Sequence, residues 1–112
     1  MRGWTILLLL SVILAAPAFA DDTTKNPAPT GDALRGEAMA KHWCGSCHVV
    51  GGAGTGSDAA PTFATVAHDP ARGPDYIRAF LTRPHKPMPP FSFSRQEIED
   101  FVAYFADLKA RP

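Results

Sequence analysis

Apart from Cys44 and Cys47 the chain has no cysteine, and that shortage limits what the pair can do. A structural zinc site takes four ligands. No second cysteine pair exists to complete one, and His42, His68 and His85 are scattered along the chain. Alternating and β-branched runs are also missing. No strand pattern leads into Cys44, so the βαβ setting of a thioredoxin-like site is absent from the pattern. Basic residues are not in excess: the formal net charge is +0 at pH 7, which argues against a nucleic-acid binder. The glycine-rich stretch 49–60 (VVGGAGTGSDAA) lacks the Gly-Lys-Ser/Thr of a phosphate-binding loop. It reads instead as a flexible loop.

What the two cysteines have is a histidine beside them. Cys44-Gly45-Ser46-Cys47-His48 reads C-x-x-C-H, the attachment signature of c-type haem. Two thiols, two residues apart, can add across the two vinyl groups of one porphyrin. The adjacent imidazole is then held under the ring as an iron ligand. C-x-x-C alone also serves dithiol redox sites, and an ordinary Cys44–Cys47 disulfide is the plain structural alternative. The full motif predicts one covalently bound haem c, with His48 as the proximal ligand.

The first twenty residues have the form of a secretory signal. Arg2 supplies a positive n-region, Ile6 to Ala16 an apolar h-region, and Ala18-Phe19-Ala20 an A-x-A cleavage site. An uncleaved membrane anchor is the alternative. The short apolar run, Pro17 and the small residues at its end weigh against it. No cysteine follows the cleavage site, so a lipid anchor there is excluded. Residues 21–30 (DDTTKNPAPT) are polar, carry two prolines and show no apolar periodicity, as a disordered leader would. The expected organisation is a signal at 1–20, a leader at 21–30 and one domain at 31–112. The destination is a bacterial periplasm, with no membrane segment in the mature form. About 90 residues then remain, a chain that buries only a small core and is marginal without an added apolar body.

Helical signals dominate the domain. Asp32 to Trp43 reads as a first helix with Asp32 as N-cap; Leu34, Ala38 and Met39 are expected to face inward. Gly36 and Ala40, four apart, share one face and would admit a second helix closely. Pro61-Thr62-Phe63 leads into a short apolar turn through Val66. Gly73-Pro74-Asp75 opens another helix, since proline suits the first position and Asp75 the N-terminal dipole. Ile77, Phe80 and Leu81 form its apolar face, and Pro84 ends it. Ser94 to Lys109 is the clearest helix. Ser94 and Glu97 form a capping box, and Ile98, Phe101, Val102, Phe105 and Leu108 form one stripe. The fold class is all-α, with three to four helices wrapped around one haem.

Between the last two helices runs Arg83 to Phe93 (RPHKPMPPFSF). Its four prolines hold the backbone extended, with Met88 in the middle. A haem iron bonded to His48 has one axial position left. Met88 is the best candidate: it lies far enough along the chain to cross the porphyrin, and its thioether favours the reduced iron and raises the potential. A plain core methionine is the alternative role for Met88. His85 is its main rival as distal ligand, His68 a remote one. Met39 sits on the proximal side and reads as core. Trp43 and Tyr104 read as packing groups.

On these residues the chain resembles the class I cytochromes c, in particular the monohaem bacterial members, over about 31–108. Cys44, Cys47 and His48 match the haem-binding motif, and Met88-Pro89 the distal ligand segment. Gly36 stands eight residues before Cys44, at the place of the family's helix-crossing glycine. Phe101-Val102-Ala103-Tyr104-Phe105 matches the C-terminal helix that packs on it. The resemblance implies that the carbonyl of Pro61 receives the ring N–H of His48. Two features depart from the pattern. Ala40 replaces an aromatic residue of many relatives, and lysines are too sparse for a lysine ring. Partner docking is therefore expected to use apolar contact by Pro87, Pro90 and Phe91 at the haem edge.

The expected function is that of a one-electron carrier with a His/Met-ligated haem c, not an enzyme. It would be a monomer that meets donor and acceptor proteins in the periplasm, and no nucleic acid. A dedicated subunit of a periplasmic oxidoreductase would show the same sequence features. The alternative from another class is a sensor or peroxidase-type protein whose distal site is open or His-ligated.

Overall fold

The computed structural model describes residues 29–52, 56–57 and 60–112. The expected signal and nearly all of the expected leader lie outside the described residues. Four helices form, and no strand is present among the described residues. They are α1 (Ala33–Cys44), α2 (Phe63–His68), α3 (Pro74–Thr82) and α4 (Arg95–Ala110). The all-α expectation holds, and the short turn expected after Pro61 is a six-residue helix. Its start is set by Thr62, whose hydroxyl accepts from the Thr65 amide.

The helix ends follow local chemistry. Asp32 caps α1 by accepting from the Leu34 and Arg35 amides. Pro74 opens α3, where its missing N–H costs nothing. At α4 the capping box is complete: Ser94 accepts from the Glu97 amide and Glu97 from the Ser94 amide. The same bonds hold the Glu97 carboxyl below the usual range.

The centre of the core is α4, against which α1, α2 and α3 all pack. The predicted stripe of α4 is buried throughout, and Tyr104 and Ala103 are buried with it. On α1 the inward face differs from the expected one. Leu34 is 76% exposed and Ala38 is exposed, whereas Gly36, Ala40 and Cys44 are buried and Met39 is half-buried. The reason is backbone proximity. A Cβ on Gly36 would lie 2.1 Å from the Asp100 carbonyl oxygen and 2.9 Å from Tyr104 Cβ. Helices that approach this closely exclude a leucine from their seam, so the small residues spaced by four turn inward.

Two polar clamps hold the helices together. Asp100 is only 2% exposed, yet its carboxylate is saturated. It accepts from Arg35 Nε (3.0 Å) and Nη2 (3.1 Å), from the Asp32 amide (2.8 Å) and from Gln96 Nε2 (3.0 Å). A buried carboxylate this well paired is tolerated because its charge is met by donors. Arg35 beside it draws the Asp100 carboxyl down to about 2 against the opposing effect of burial. Arg78 of α3 grips Glu99 of α4 through Nε (2.7 Å) and Nη2 (2.9 Å), and also reaches Asp75 (2.9 Å).

Candidate functional site

The site begins where α1 ends. The carbonyl of Cys44 accepts from the amides of Cys47 (3.1 Å) and His48 (2.9 Å). This turn carries the chain one step past the helix and keeps the motif compact. Cys44 is buried and Cys47 exposed, and the two are not bonded to each other. Burial pushes the Cys44 thiol up to about 11, and the neighbouring Cys47 adds to the shift. A dithiol redox site needs a lowered thiol pKa instead.

His48 is held by Pro61, whose carbonyl oxygen lies 2.7 Å from Nδ1. A carbonyl can only accept, so Nδ1 carries the proton and Nε2 keeps a bare lone pair. The Phe63 ring meets the imidazole edge-on at 5.2 Å and stacks on Phe105 of α4 at 4.8 Å. The loop returns to the motif through two backbone bonds, Ser57 N–H to the Cys47 carbonyl (2.8 Å) and Phe63 N–H to the Val49 carbonyl (3.0 Å). Gly51 and Gly52 take positive φ (59° and 74°) to make the turn after Val50, a conformation that side chains resist.

Met88 lies on the strap between α3 and α4. Its amide donates to the His85 carbonyl at 2.7 Å, and the Lys86–Pro87 bond is cis. Aromatic contacts tie the strap at both flanks. Phe91 meets Trp43 of α1 at 5.8 Å, and Phe93 meets Phe101 of α4 edge-on at 4.9 Å. Met88 is half-buried and packs against the core.

These elements enclose one mostly apolar groove with two lobes, of about 300 Å³ and about 120 Å³. Cys44, His48, Pro61, His85 and Met88 line both lobes, and Cys47 lines the smaller one. Two thiols, an imidazole with a free Nε2 and a soft thioether thus share one apolar enclosure. That donor set fits a haem attached through two thioethers. The structure also brings in the rival ligand: His85 lines the groove, with its ring 5.1 Å from Phe80. It does not bring in the other histidines. His68 sits at the end of α2, where its ring nitrogens face the carbonyls of Ala64 and Arg111. His42 packs against Trp43.

Sequence reasoning missed Arg72 and Tyr76, which line the larger lobe. It also missed the role of Asp100, which ties α4 to α1. Asp100 carries no motif because its partners Asp32 and Arg35 are distant in the chain, and Arg72 and Tyr76 carry none because packing, not spacing, brings them to the groove.

A helical fold built around a groove with C-x-x-C-H at one wall defines a class, the c-type cytochromes. Residues 31–105 match the family described as cytochrome c oxidase, cbb3-type, subunit III, and the chain belongs to that family. The chain is also 40% identical over 88 residues to cytochrome c-552 of Bradyrhizobium diazoefficiens, an alignment covering 78% of this chain and 85% of the relative. No solved structure matches the chain significantly. The protein is therefore an electron-transfer haem protein with covalently bound haem c, and not an enzyme.

Proposed function

We propose that the chain is a periplasmic one-electron carrier in which Cys44 and Cys47 anchor the haem and His48 and Met88 are its axial ligands. Haem c, when bound, supplies the one-electron iron couple. The chain's own residues do the rest. Pro61 orients His48 and increases its basicity. The proline strap fixes the Met88 sulfur, so little rearrangement accompanies a change of charge. Phe63, Phe101 and Phe105 keep water from the ring. The observation that carries the reading is that His48, with Nε2 bare, and Met88 line the same groove.

Export is part of this proposal. The reading assigns 1–20 to a cleaved signal, 21–30 to a leader and 31–112 to a monomeric haem domain that meets donor and acceptor proteins. The family match from residue 31 and the end of α4 at Ala110 support the domain limits. No helix among the described residues is long and apolar enough to cross a membrane.

One observation favours a second reading. His85 lines both lobes of the groove beside Met88, so a His-ligated or open distal site is the alternative, with gas binding or peroxide chemistry as its use. The visible spectrum of the exported protein, with and without carbon monoxide, separates them. The Met–iron charge-transfer band with no response to carbon monoxide is the expected result. A low-spin spectrum without that band assigns His85, and a high-spin spectrum that responds to carbon monoxide assigns an open site.

A further inference from the structure

We propose that Arg72 and Tyr76 form the carboxylate-holding end of the groove and bind the haem propionates. The proposal rests on the reading that haem is anchored at Cys44 and Cys47. A haem carries its two propionates on the edge opposite its vinyl groups. Anchoring the vinyl edge at Cys47, in the smaller lobe, turns the carboxylates toward the far part of the larger one. A carboxylate against an apolar wall needs donors and a compensating cation. Arg72 and Tyr76 line the larger lobe and not the smaller one.

Arg72 lies between α2 and α3 and is already positioned. Its amide donates to the Asp69 carbonyl at 3.0 Å, and its Nε pairs with Asp69 Oδ2 at 3.0 Å. The Asp69 carboxylate is itself fixed by the Ala71 amide at 2.9 Å. The guanidinium carbon sits 5.9 Å from the centre of the Tyr76 ring, which stacks on Phe80 at 5.6 Å. Because Asp69 takes Nε, the two terminal nitrogens of Arg72 remain for a ligand; among the described residues neither has an acceptor.

Other candidates are committed elsewhere. Arg78 is held by Glu99 and Asp75. His85 places Nδ1 3.0 Å from the Lys86 carbonyl, and the neutral ring that donates there keeps only a lone pair at Nε2. His48 turns its Nδ1–H to Pro61. α4 contributes Phe101 and Phe105 to this lobe, both uncharged. Asp69 is the acidic group facing Arg72, and it pairs on the Nε side, so what Arg72 offers a carboxylate is its terminal N–H donors.

Redox titration of the holoprotein from pH 5 to pH 9 tests the assignment, with the visible spectrum read on each variant. Arg72→Gln is expected to lower the midpoint potential, more at pH 8 than at pH 5, where the released carboxylate takes up a proton. Arg72→Lys should restore most of the loss. Tyr76→Phe should shift the potential downward by less. Asp69→Asn should raise it, because Arg72 then loses its competing anion. A wild-type potential and pH profile in both Arg72→Gln and Tyr76→Phe overturns the proposal. So does a shift produced by His85→Gln while Arg72→Gln stays silent. Failure of the axial-ligand reading is distinct, since it shows in the wild-type spectrum.

Discussion

His48 donates its Nδ1 proton to the backbone carbonyl of Pro61 at 2.7 Å. The bond decides which ring nitrogen is free and how strongly that nitrogen donates electrons. A more basic imidazole stabilises ferric iron and so lowers the potential. Pro61→Gly frees the backbone at that carbonyl and loosens the bond. The variant is expected to keep its haem and to show a higher midpoint potential than the wild type in a redox titration. An unchanged or lowered potential would refute the tuning role.

Met88→Ala removes the thioether from the groove and leaves both cysteines in place. The variant should keep covalent haem, lose the Met–iron band, bind carbon monoxide and show a lower potential, because Met/His ligation favours the reduced iron. Spectroscopy with and without carbon monoxide reads all but the last. A variant indistinguishable from wild type would remove Met88 from the iron.

Replacing both Cys44 and Cys47 with alanine should abolish covalent attachment. Haem that remains with the denatured polypeptide in that double variant would contradict the anchoring role.

Gly36 faces the backbone of α4, where a Cβ would lie 2.1 Å from the Asp100 carbonyl oxygen. Neither partner is the flexible end of a side chain, so the helices themselves must part. Gly36→Ala is expected to destabilise the fold by about 1–3 kcal/mol, the usual range for overpacking. Ala38→Gly, on the exposed face of the same helix, should cost about 0.5–1 kcal/mol through propensity alone. Denaturant unfolding of the two variants compares them, and equal losses would refute the close crossing.

Asp100 ties α4 to α1, and its carboxyl is held down to about 2 by Arg35. The unfolded value is about 3.9. The ionised form therefore stabilises the fold fully above that value, and the contribution fades as pH falls from about 4 toward 2. Asp100→Asn should lower the unfolding midpoint at pH 7 and narrow the gap between pH 7 and pH 3. Circular dichroism melts at the two pH values measure this. A variant with an undiminished gap would show that Asp100 is not the group responsible.

Much of the fold was legible because its signals are local. Asp32, Pro74 and the Ser94–Glu97 pair mark helix starts through chemistry that acts within three or four residues, and each starts a helix in the structure. The α4 stripe was legible because it faces the centre of the core along its whole length. On α1 the close seam of Gly36 and Ala40 was legible from their spacing, but Leu34 and Ala38 were wrongly placed inward, because the approach of α4 selects for size and not for hydropathy. The role of Asp100 was not legible, because its partners Arg35 and Asp32 lie more than sixty residues away.

The sequence by itself determined the attachment chemistry, since C-x-x-C-H holds its thiols and imidazole within five consecutive residues. It also determined where α1, α3 and α4 begin and the stiffness of the strap around Met88. Only the tertiary structure decided which groups gather on the groove. His85 and Met88 reach its wall while His68 does not, and Arg72 and Tyr76 meet at one lobe although nothing in their spacing marks them. Chain-local chemistry acts through a few bonds and leaves its pattern in the sequence. A groove is made by helices packing at fixed distances, and which side chains face it follows from that packing.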